Sequence, residues 1–198
     1  MISFLTQNAI AAVILVAVAS GLMLLTSSWR GRVTGLALMY LGVFWLTGLS
    51  WPLGLAAIKL VVGWMAGAIL GVSGINLLPP TRRRWPTEWI FLGLVFILVI
   101  VAVNSLAPTI VEWFPGCKPT QAWGGLLLIL SGVVHLGIAS RGLRTIISLL
   151  TILAGFEILY AVVETSTLVA GLQAIVTLGV VLTGAYLLGT TAGEESTL

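Results

Sequence analysis

The stretch LAGFEILYAVVE, Leu153 to Glu164, places one carboxylate, that of Glu157, inside a run of apolar residues. The whole chain is 59% hydrophobic and only 8% charged, whereas a soluble domain carries about a quarter charged residues. A helix needs about 20 apolar residues to cross a hydrocarbon core of ~30 Å, and several runs approach or exceed this length without the alternation of barrel strands. The sequence therefore predicts an all-α polytopic membrane protein.

The apolar runs predict seven transmembrane helices in a single membrane domain that covers residues 1–198. Their predicted ranges are 8–27, 33–50, 52–75, 88–108, 122–139, 145–163 and 166–189. The N-terminal segment MISFLTQN has no basic residue, and arginines follow the first apolar run. The first run is therefore predicted to be an uncleaved helix with its N-terminus outside, not a signal peptide.

The arginines predict the orientation. Of the nine basic residues, seven lie in loops on one side of the predicted membrane: Arg30, Arg32, Arg82, Arg83, Arg84, Arg141 and Arg144. The positive-inside rule places this side in the cytoplasm, so the N-terminus is outside a plasma (inner) membrane and the C-terminus is inside. The net charge of +3 therefore serves topology and predicts no nucleic-acid partner. The loop TRRRWPTEW is further predicted to bind lipid headgroups, and secondarily to dock a cytoplasmic partner.

A three-helix plan recurs along the chain, with the second copy roughly 111 to 114 positions after the first. The two copies and the helix that joins them cover these ranges: about 8–75, about 122–189 and, between them, about 88–108. In this alignment Gly42 matches Gly155, and Phe44 stands where the second copy has Glu157. Since one helix separates the copies, both enter the membrane from the same side, which predicts a parallel repeat.

Three polar residues share one predicted layer, about 10 Å below the outer interface at a rise of ~1.5 Å per residue: Lys59, Glu157 and Gln173. Two interpretations stay open. The lysine and the carboxylate form a buried ion pair that only fixes the helices, or Glu157 exchanges a proton, as intramembrane ionisable groups commonly do. Glu164, seven residues further on the same helical face, would then form the outer mouth of a proton path.

His135, the only histidine, lies in the cytoplasmic half of the fifth predicted span, with Ser131 four residues earlier as a hydrogen-bonding neighbour. It is an inner candidate for a proton path, and a chlorophyll ligand is an alternative. Haem would need a second axial ligand, which only a methionine would supply. The lone Cys117 allows no internal disulfide and no metal cluster. No cofactor, metal site or enzymatic motif is predicted.

Two further patterns concern packing. Five tryptophans lie at predicted span ends, as interfacial anchors do: Trp29, Trp51, Trp85, Trp89 and Trp113. Three glycines recur at every fourth position of the third span, as in close helix packing: Gly63, Gly67 and Gly71.

The segment SRGLRTIISLLTILAGFEILYAVV resembles the small three-helix NuoK-type subunit of respiratory complex I. That subunit carries a Gly-Leu-Glu-Ile motif in its second helix, which reads Gly155-Phe156-Glu157-Ile158 here. The whole chain is similar in layout to membrane component E of the formate-hydrogenlyase class of hydrogenases. That protein also has a lysine in an early span, as Lys59 is here, and a Gly-x-Lys-Pro turn, as Gly116-Cys117-Lys118-Pro119 is here.

The resemblance implies a subunit, without catalytic site or cofactor, in the membrane arm of a hetero-oligomeric energy-converting complex. Glu157 would carry protons beside an antiporter-like neighbouring subunit. The complex I subunit has a second glutamate in its third helix, whereas the corresponding region here offers Gln173 and no acid. This departure favours a partly degenerate, mainly structural role.

Two other functions remain. The chain is an accessory subunit of another respiratory or photosynthetic complex, with the polar layer acting as a clip. Alternatively it is a small autonomous transporter, although no span shows the Gly/Pro-broken pattern of a substrate site.

Overall fold

The computed structural model describes residues 7–77, 86–139 and 142–195. Within these residues the chain forms seven helices: α1 Ala9–Leu25, α2 Trp29–Thr47, α3 Leu53–Leu77, α4 Pro86–Trp113, α5 Pro119–Gly137, α6 Gly142–Val163 and α7 Thr167–Glu195. The seven predicted helices are therefore found. Their ends differ most in α4, which continues through Pro108, and in α7. Proline removes one helix hydrogen bond, and membrane helices tolerate this loss where neighbouring groups replace it.

The helices define an all-α polytopic membrane protein. Five of them, α3 to α7, are long and apolar enough to cross a membrane, and α1 is a shorter apolar helix. The exception is α2, whose first turn holds Arg30 and Arg32. It packs between α1, α3 and α6, so its surface need not be as apolar as that of a helix facing lipid. Seven full crossings and their orientation stay predictions of the sequence.

The bundle has two rows of three helices. In one row α2 packs between α1 and α3, and in the other α6 packs between α5 and α7. The rows face each other in the same order, since α1 contacts α5, α2 contacts α6 and α3 contacts α7. The remaining helix, α4, lies outside the rows against α5 and α1. This order places α2, α3, α6 and α7 around one buried region.

The first helix crossing of each row is built from equivalent residues. A Cβ atom at Gly42 of α2 would meet Val16 and the carbonyl of Ala12. A Cβ atom at Gly155 of α6 would meet the carbonyl of Gly125 and the backbone of Ile129. Each residue of the second set stands 113 positions after its counterpart (42 and 155, 12 and 125, 16 and 129). Shared contacts of this kind support the predicted duplication.

A second contact recurs at the turns between α1 and α2 and between α5 and α6. Arg32 Nε donates to the carbonyl of Thr26 over 3.2 Å, and Arg144 Nη1 donates to the carbonyl of Ile138 over 2.9 Å. In both rows an arginine at the start of one helix thus binds a carbonyl at the end of the preceding helix. Cations are favoured at helix C-termini because the carbonyls there lack helical partners. These two arginines therefore have a structural role besides the topogenic one that the sequence predicts.

The predicted glycine stripe of α3 is only partly a close-packing surface. A Cβ atom at Gly63 would overlap the ring of Tyr40, so this glycine is needed for the contact with α2. At Gly67 no atom lies within 4 Å, and at Gly71 a Cβ atom would only touch Val33 at an ordinary 3.7 Å. The prediction was wrong for these two positions, because spacing alone does not show which helix face meets a neighbour.

Candidate functional site

An ion pair lies at the centre of the region between α2, α3, α6 and α7. Lys59 Nζ of α3 is 2.8 Å from Glu157 Oε1 of α6, and the two side chains are 2% and 0% exposed. The sequence placed both residues in one layer, and the structure brings them into contact. Lone charges at this depth are costly, so mutual neutralisation is the first requirement for both groups.

Helix α7 supplies two further polar residues. The Thr177 hydroxyl lies 3.3 Å from Glu157 Oε1 and 2.9 Å from the carbonyl oxygen of Gln173. One hydroxyl proton can serve only one of these two acceptors at a time. Gln173 itself is buried. Thr177 therefore links the carboxylate to the backbone of α7.

Two aromatic side chains border the ion pair on opposite sides. The ring of Trp51, in the turn between α2 and α3, lies 5.8 Å from Lys59 Nζ, and its indole N–H donates to the carbonyl of Glu164 over 2.8 Å. Tyr40 of α2 packs on Gly63, one helical turn further into the membrane than Lys59. Trp51 thus lies on the side of the pair near the α2–α3 turn, and Tyr40 lies about one helical turn away on the other side.

We call five residues the buried polar cluster: Tyr40, Lys59, Glu157, Gln173 and Thr177. Among the described residues, several of its atoms are buried without a hydrogen-bond partner, namely Tyr40 Oη, Glu157 Oε2, Gln173 Oε1 and, beyond its ion-pair contact, Lys59 Nζ. Buried polar atoms usually have partners, since leaving one unsatisfied costs about 1–3 kcal/mol. The cluster therefore has unused hydrogen-bonding capacity beside a carboxylate.

Glu164 lies at the turn between α6 and α7, outside the cluster. Its carboxylate accepts the backbone N–H of Ser166 over 3.1 Å, at the turn into α7, and its carbonyl accepts from Trp51. These contacts give the residue a local structural role in the turn. Its predicted role as the outer mouth of a proton path stays a prediction.

His135 lies apart from the cluster, in the last turn of α5. Gly132 packs against Ile152 and Ser148, five and nine residues before Glu157, and His135 is nearly one turn further along α5, so it is roughly 12–18 Å along the bundle from the carboxylate. The buried imidazole borders a small cavity together with the side chain of Arg144. The Ser131 hydroxyl donates to the carbonyl of Leu128. The structure thus does not join His135 to the other predicted path residues.

Of the other predicted positions, some lie outside the described residues. These are Arg82, Arg83, Arg84, Arg141 and Trp85. In the described ranges, no group of three or more His, Cys, Asp or Glu side chains is arranged to hold a metal ion. Cys117 is buried in the turn before α5, and this burial raises the pKa of its thiol.

Sequence reasoning missed three contributors to the site. Thr177 stands four residues after Gln173 and hence on the same face of α7, a spacing that was available to find it. Tyr40 lies in an apolar run, and no feature of the sequence indicated that it belongs to the site. Trp51 was predicted to be an interfacial anchor, and this was wrong, because it is 3% exposed and hydrogen-bonded inside the bundle. Trp89 and Trp113, by contrast, are 48% and 72% exposed at helix ends.

The fold and site together define a polytopic all-α membrane protein with a buried, charge-paired polar cluster. Comparisons with protein-family models, with curated proteins and with solved structures find no match for this chain. The function therefore has to be argued from the geometry of the cluster.

Proposed function

We propose that the protein is a non-catalytic subunit of an energy-converting membrane complex related to complex I, membrane-bound hydrogenases or antiporters, and that Glu157 exchanges protons within it. The observation that carries the proposal is the asymmetry of the Glu157 carboxylate. Its Oε1 atom meets Lys59 and Thr177, while its Oε2 atom is buried and has no partner among the described residues. Oε2 is therefore the oxygen atom of the carboxylate at which a proton would bind.

Proton exchange at this site changes the strength of the ion pair. With Glu157 ionised, the attraction to Lys59 is large because the surroundings are apolar. With Glu157 protonated, Lys59 becomes a buried charge without a counter-ion, which is unfavourable. Loading a proton therefore pushes the lysine away from its place in the cluster. A neighbouring subunit with a carboxylate near Lys59 would couple to this change.

The exposed apolar surface of the bundle favours partners within the membrane. Large apolar side chains of α4 are exposed, among them Ile90, Leu94, Ile97, Leu98 and Val101, and lipid or other integral membrane subunits would cover them. The loops between the described helices are short, so soluble chemistry would come from partners. We propose antiporter-like subunits as these partners, in a plasma (inner) membrane with the N-terminus outside.

A second candidate function is an accessory subunit of another respiratory or photosynthetic complex. It is favoured by the close contact and burial of the ion pair, since Lys59 and Glu157 are both buried and lie 2.8 Å apart. Such a pair can hold helix rows together without moving protons. In this case Lys59 and Glu157 are a clip between α3 and α6.

The deciding experiment is proton pumping by the assembled complex in membrane vesicles, followed with a pH-sensitive dye, for Glu157→Gln. The matched control is Glu112→Gln, since Glu112 is exposed at the outer end of α4. Native gel electrophoresis checks that each variant assembles.

Proton carriage by Glu157 predicts that pumping collapses in Glu157→Gln and persists in Glu112→Gln, with assembly intact in both. The amide keeps the shape of the side chain and can still accept a hydrogen bond from Lys59, but it cannot exchange a proton. Pumping at the wild-type rate in Glu157→Gln would instead establish the clip.

A further inference from the structure

Helix α4 has one face in the bundle and one face outside it. Leu92, Val99 and Val103 are buried on the bundle side. On the outer face, exposed residues recur at alternating steps of four and three residues, which is the spacing of a coiled-coil contact. Helices in membranes also pair with this geometry. We call six of these exposed residues the α4 seam: Ile90, Leu94, Ile97, Val101, Asn104 and Pro108.

Asn104 is the polar side chain of the α4 seam. It lies nine residues before Trp113, the last residue of the apolar span Thr87–Trp113, and hence about 13 Å from that end of the span. The span is about 40 Å long and exceeds the ~30 Å hydrocarbon core by about 5 Å at each end. Asn104 therefore lies within the hydrocarbon core.

The Asn104 amide has hydrogen-bond donors left over. Its Oδ1 atom accepts the indole N–H of Trp123 over 2.8 Å. The indole nitrogen only donates, so this contact identifies Oδ1 as the bonded end of the amide. The two N–H groups of Nδ2 make no hydrogen bond within the part of the chain that the structure describes.

Pro108 adds an acceptor on the same face. Proline has no N–H, so the Asn104 carbonyl, four residues earlier, loses its usual helical donor. Residues four positions apart share a helix face, and both are exposed. Asn104 therefore offers a donor and an acceptor to the outside of the bundle. Acyl chains satisfy neither group, and unsatisfied polar groups in hydrocarbon are costly.

These two groups are complementary to themselves. A second copy of the chain inserts with the same orientation, so its Asn104 lies at the same depth, and a two-fold axis places the same surface on both sides. Each amide can then donate to the free carbonyl of the other copy. A different subunit would need its own polar group at this depth. In coiled coils, a single Asn in the seam fixes register and oligomeric state.

We propose that two copies of the chain pair along the α4 seam, about a two-fold axis normal to the membrane, with Asn104 at the centre of their hydrogen bonding. The apolar residues of the seam supply the packing and Asn104 sets the register. This contact does not rest on the proposed function. Antiporter-like subunits could still bind the exposed apolar surfaces of α3 and α7, such as Val72 and Ile175.

The first test measures the oligomeric state of the full-length protein in liposomes by counting single-molecule photobleaching steps at increasing dilution. We compare wild type with Asn104→Leu, which keeps the seam apolar and removes the amide. The matched control is Trp123→Phe, which removes the same hydrogen bond within the chain and keeps the Asn104 amide.

We expect wild type to dimerise, and the dissociation constant of the dimer to rise about tenfold in Asn104→Leu, as for the loss of two interhelical hydrogen bonds. Trp123→Phe should stay close to wild type. A monomeric wild type would overturn the proposal. An equal loss in both variants would also overturn it, because the dimer would then depend on the contact between α4 and α5.

A second test keeps Asn104 and works in native membranes, with the other subunits present. In a Cys117→Ala background, which removes the native thiol, Val101→Cys places a cysteine in the α4 seam. The control is Leu106→Cys, since Leu106 is 45% exposed but lies two residues after Asn104, more than half a turn around the helix.

Mild oxidation should join two chains through Val101→Cys and not through Leu106→Cys. A cross-link from Val101→Cys to a different protein would overturn the proposal by identifying another occupant of the seam. No cross-link at Val101→Cys would overturn it in favour of lipid. Pumping measurements on Glu157→Gln decide the proposed function separately, so either conclusion can fail alone.

Discussion

The two helix rows share a scaffold and differ in chemistry. Gly42 in the first row and Gly155 in the second make equivalent crossings with the preceding helix. Two positions later the first row has Phe44 and the second has Glu157. At 3.6 residues per turn, a two-residue step leads to nearly the opposite face of the helix. The glycine face of α6 therefore meets α5, while the carboxylate face meets α3 and α7.

The difference shows that helix packing and the charged site depend on separate faces of the helix, so that one can change without the other. The crossing contacts recur in both rows, whereas the carboxylate is present only in the second. Its partner Lys59 comes from the first row, so the charged site exists only where the rows meet. Neither row contains the site by itself.

The largest expected effect comes from removing one member of the ion pair. Lys59→Met leaves Glu157 buried without its counter-ion, and we expect the free energy of unfolding to fall by about 3–5 kcal/mol. The double variant Lys59→Met/Glu157→Gln removes both charges and should recover much of this loss. Unfolding in detergent micelles with increasing SDS measures both values.

The comparison between the rows would fail if the free-energy losses of Lys59→Met and Glu157→Gln simply add in the double variant. Additive losses in the double variant would mean that the charges of the two rows do not stabilise each other, contrary to their contact. A control at the surface, Glu112→Gln, should leave the free energy of unfolding unchanged.

A smaller effect is expected at the glycine crossings. The Cβ atom of Gly155→Ala would press on the backbone of Gly125 and Ile129, and overpacking of this kind costs about 1–3 kcal/mol. Gly42→Ala should cost less, because its nearest neighbour is the Val16 side chain. The same SDS unfolding assay ranks the variants.

The matched control for the crossings is Gly67→Ala, since Gly67 is a buried helical glycine with open space around its Cβ position. It should be neutral or slightly stabilising, because alanine favours helix by up to about 1 kcal/mol. Equal losses at all three glycines would show that the crossings are not special.

The smallest effect is expected where the turns of the two rows meet. Trp51→Phe removes the indole hydrogen bond to the Glu164 carbonyl, and the loss of one such bond lowers the free energy of unfolding by about 1 kcal/mol. Trp89→Phe, at a position 48% exposed, should have no effect. A null result for Trp51→Phe would mean that the turns are held by other contacts, such as Gln121 Nε2 on the Leu46 carbonyl at 2.9 Å.

Part of the candidate site was predictable because depth in a membrane follows from counting residues. Each helical residue advances by ~1.5 Å, so Lys59 and Glu157 were expected in the same layer, and they are in contact. His135 was also predicted to lie on a proton path, but it does not meet the cluster, because distance along the bundle separates the two. Trp51 and Tyr40 joined the site only through packing between helices.

The sequence by itself determined that this protein is embedded in a membrane and which segments form its helices. Long apolar runs with few charges allow only membrane helices, because backbone groups in lipid must be satisfied within the segment. Tertiary structure decided which faces meet. The stacking of the two rows brings Lys59 and Glu157, which are far apart in sequence, within 2.8 Å of each other. The same stacking buries Trp51 beside them. Such contacts depend on helix order and rotation, which local residue patterns do not encode.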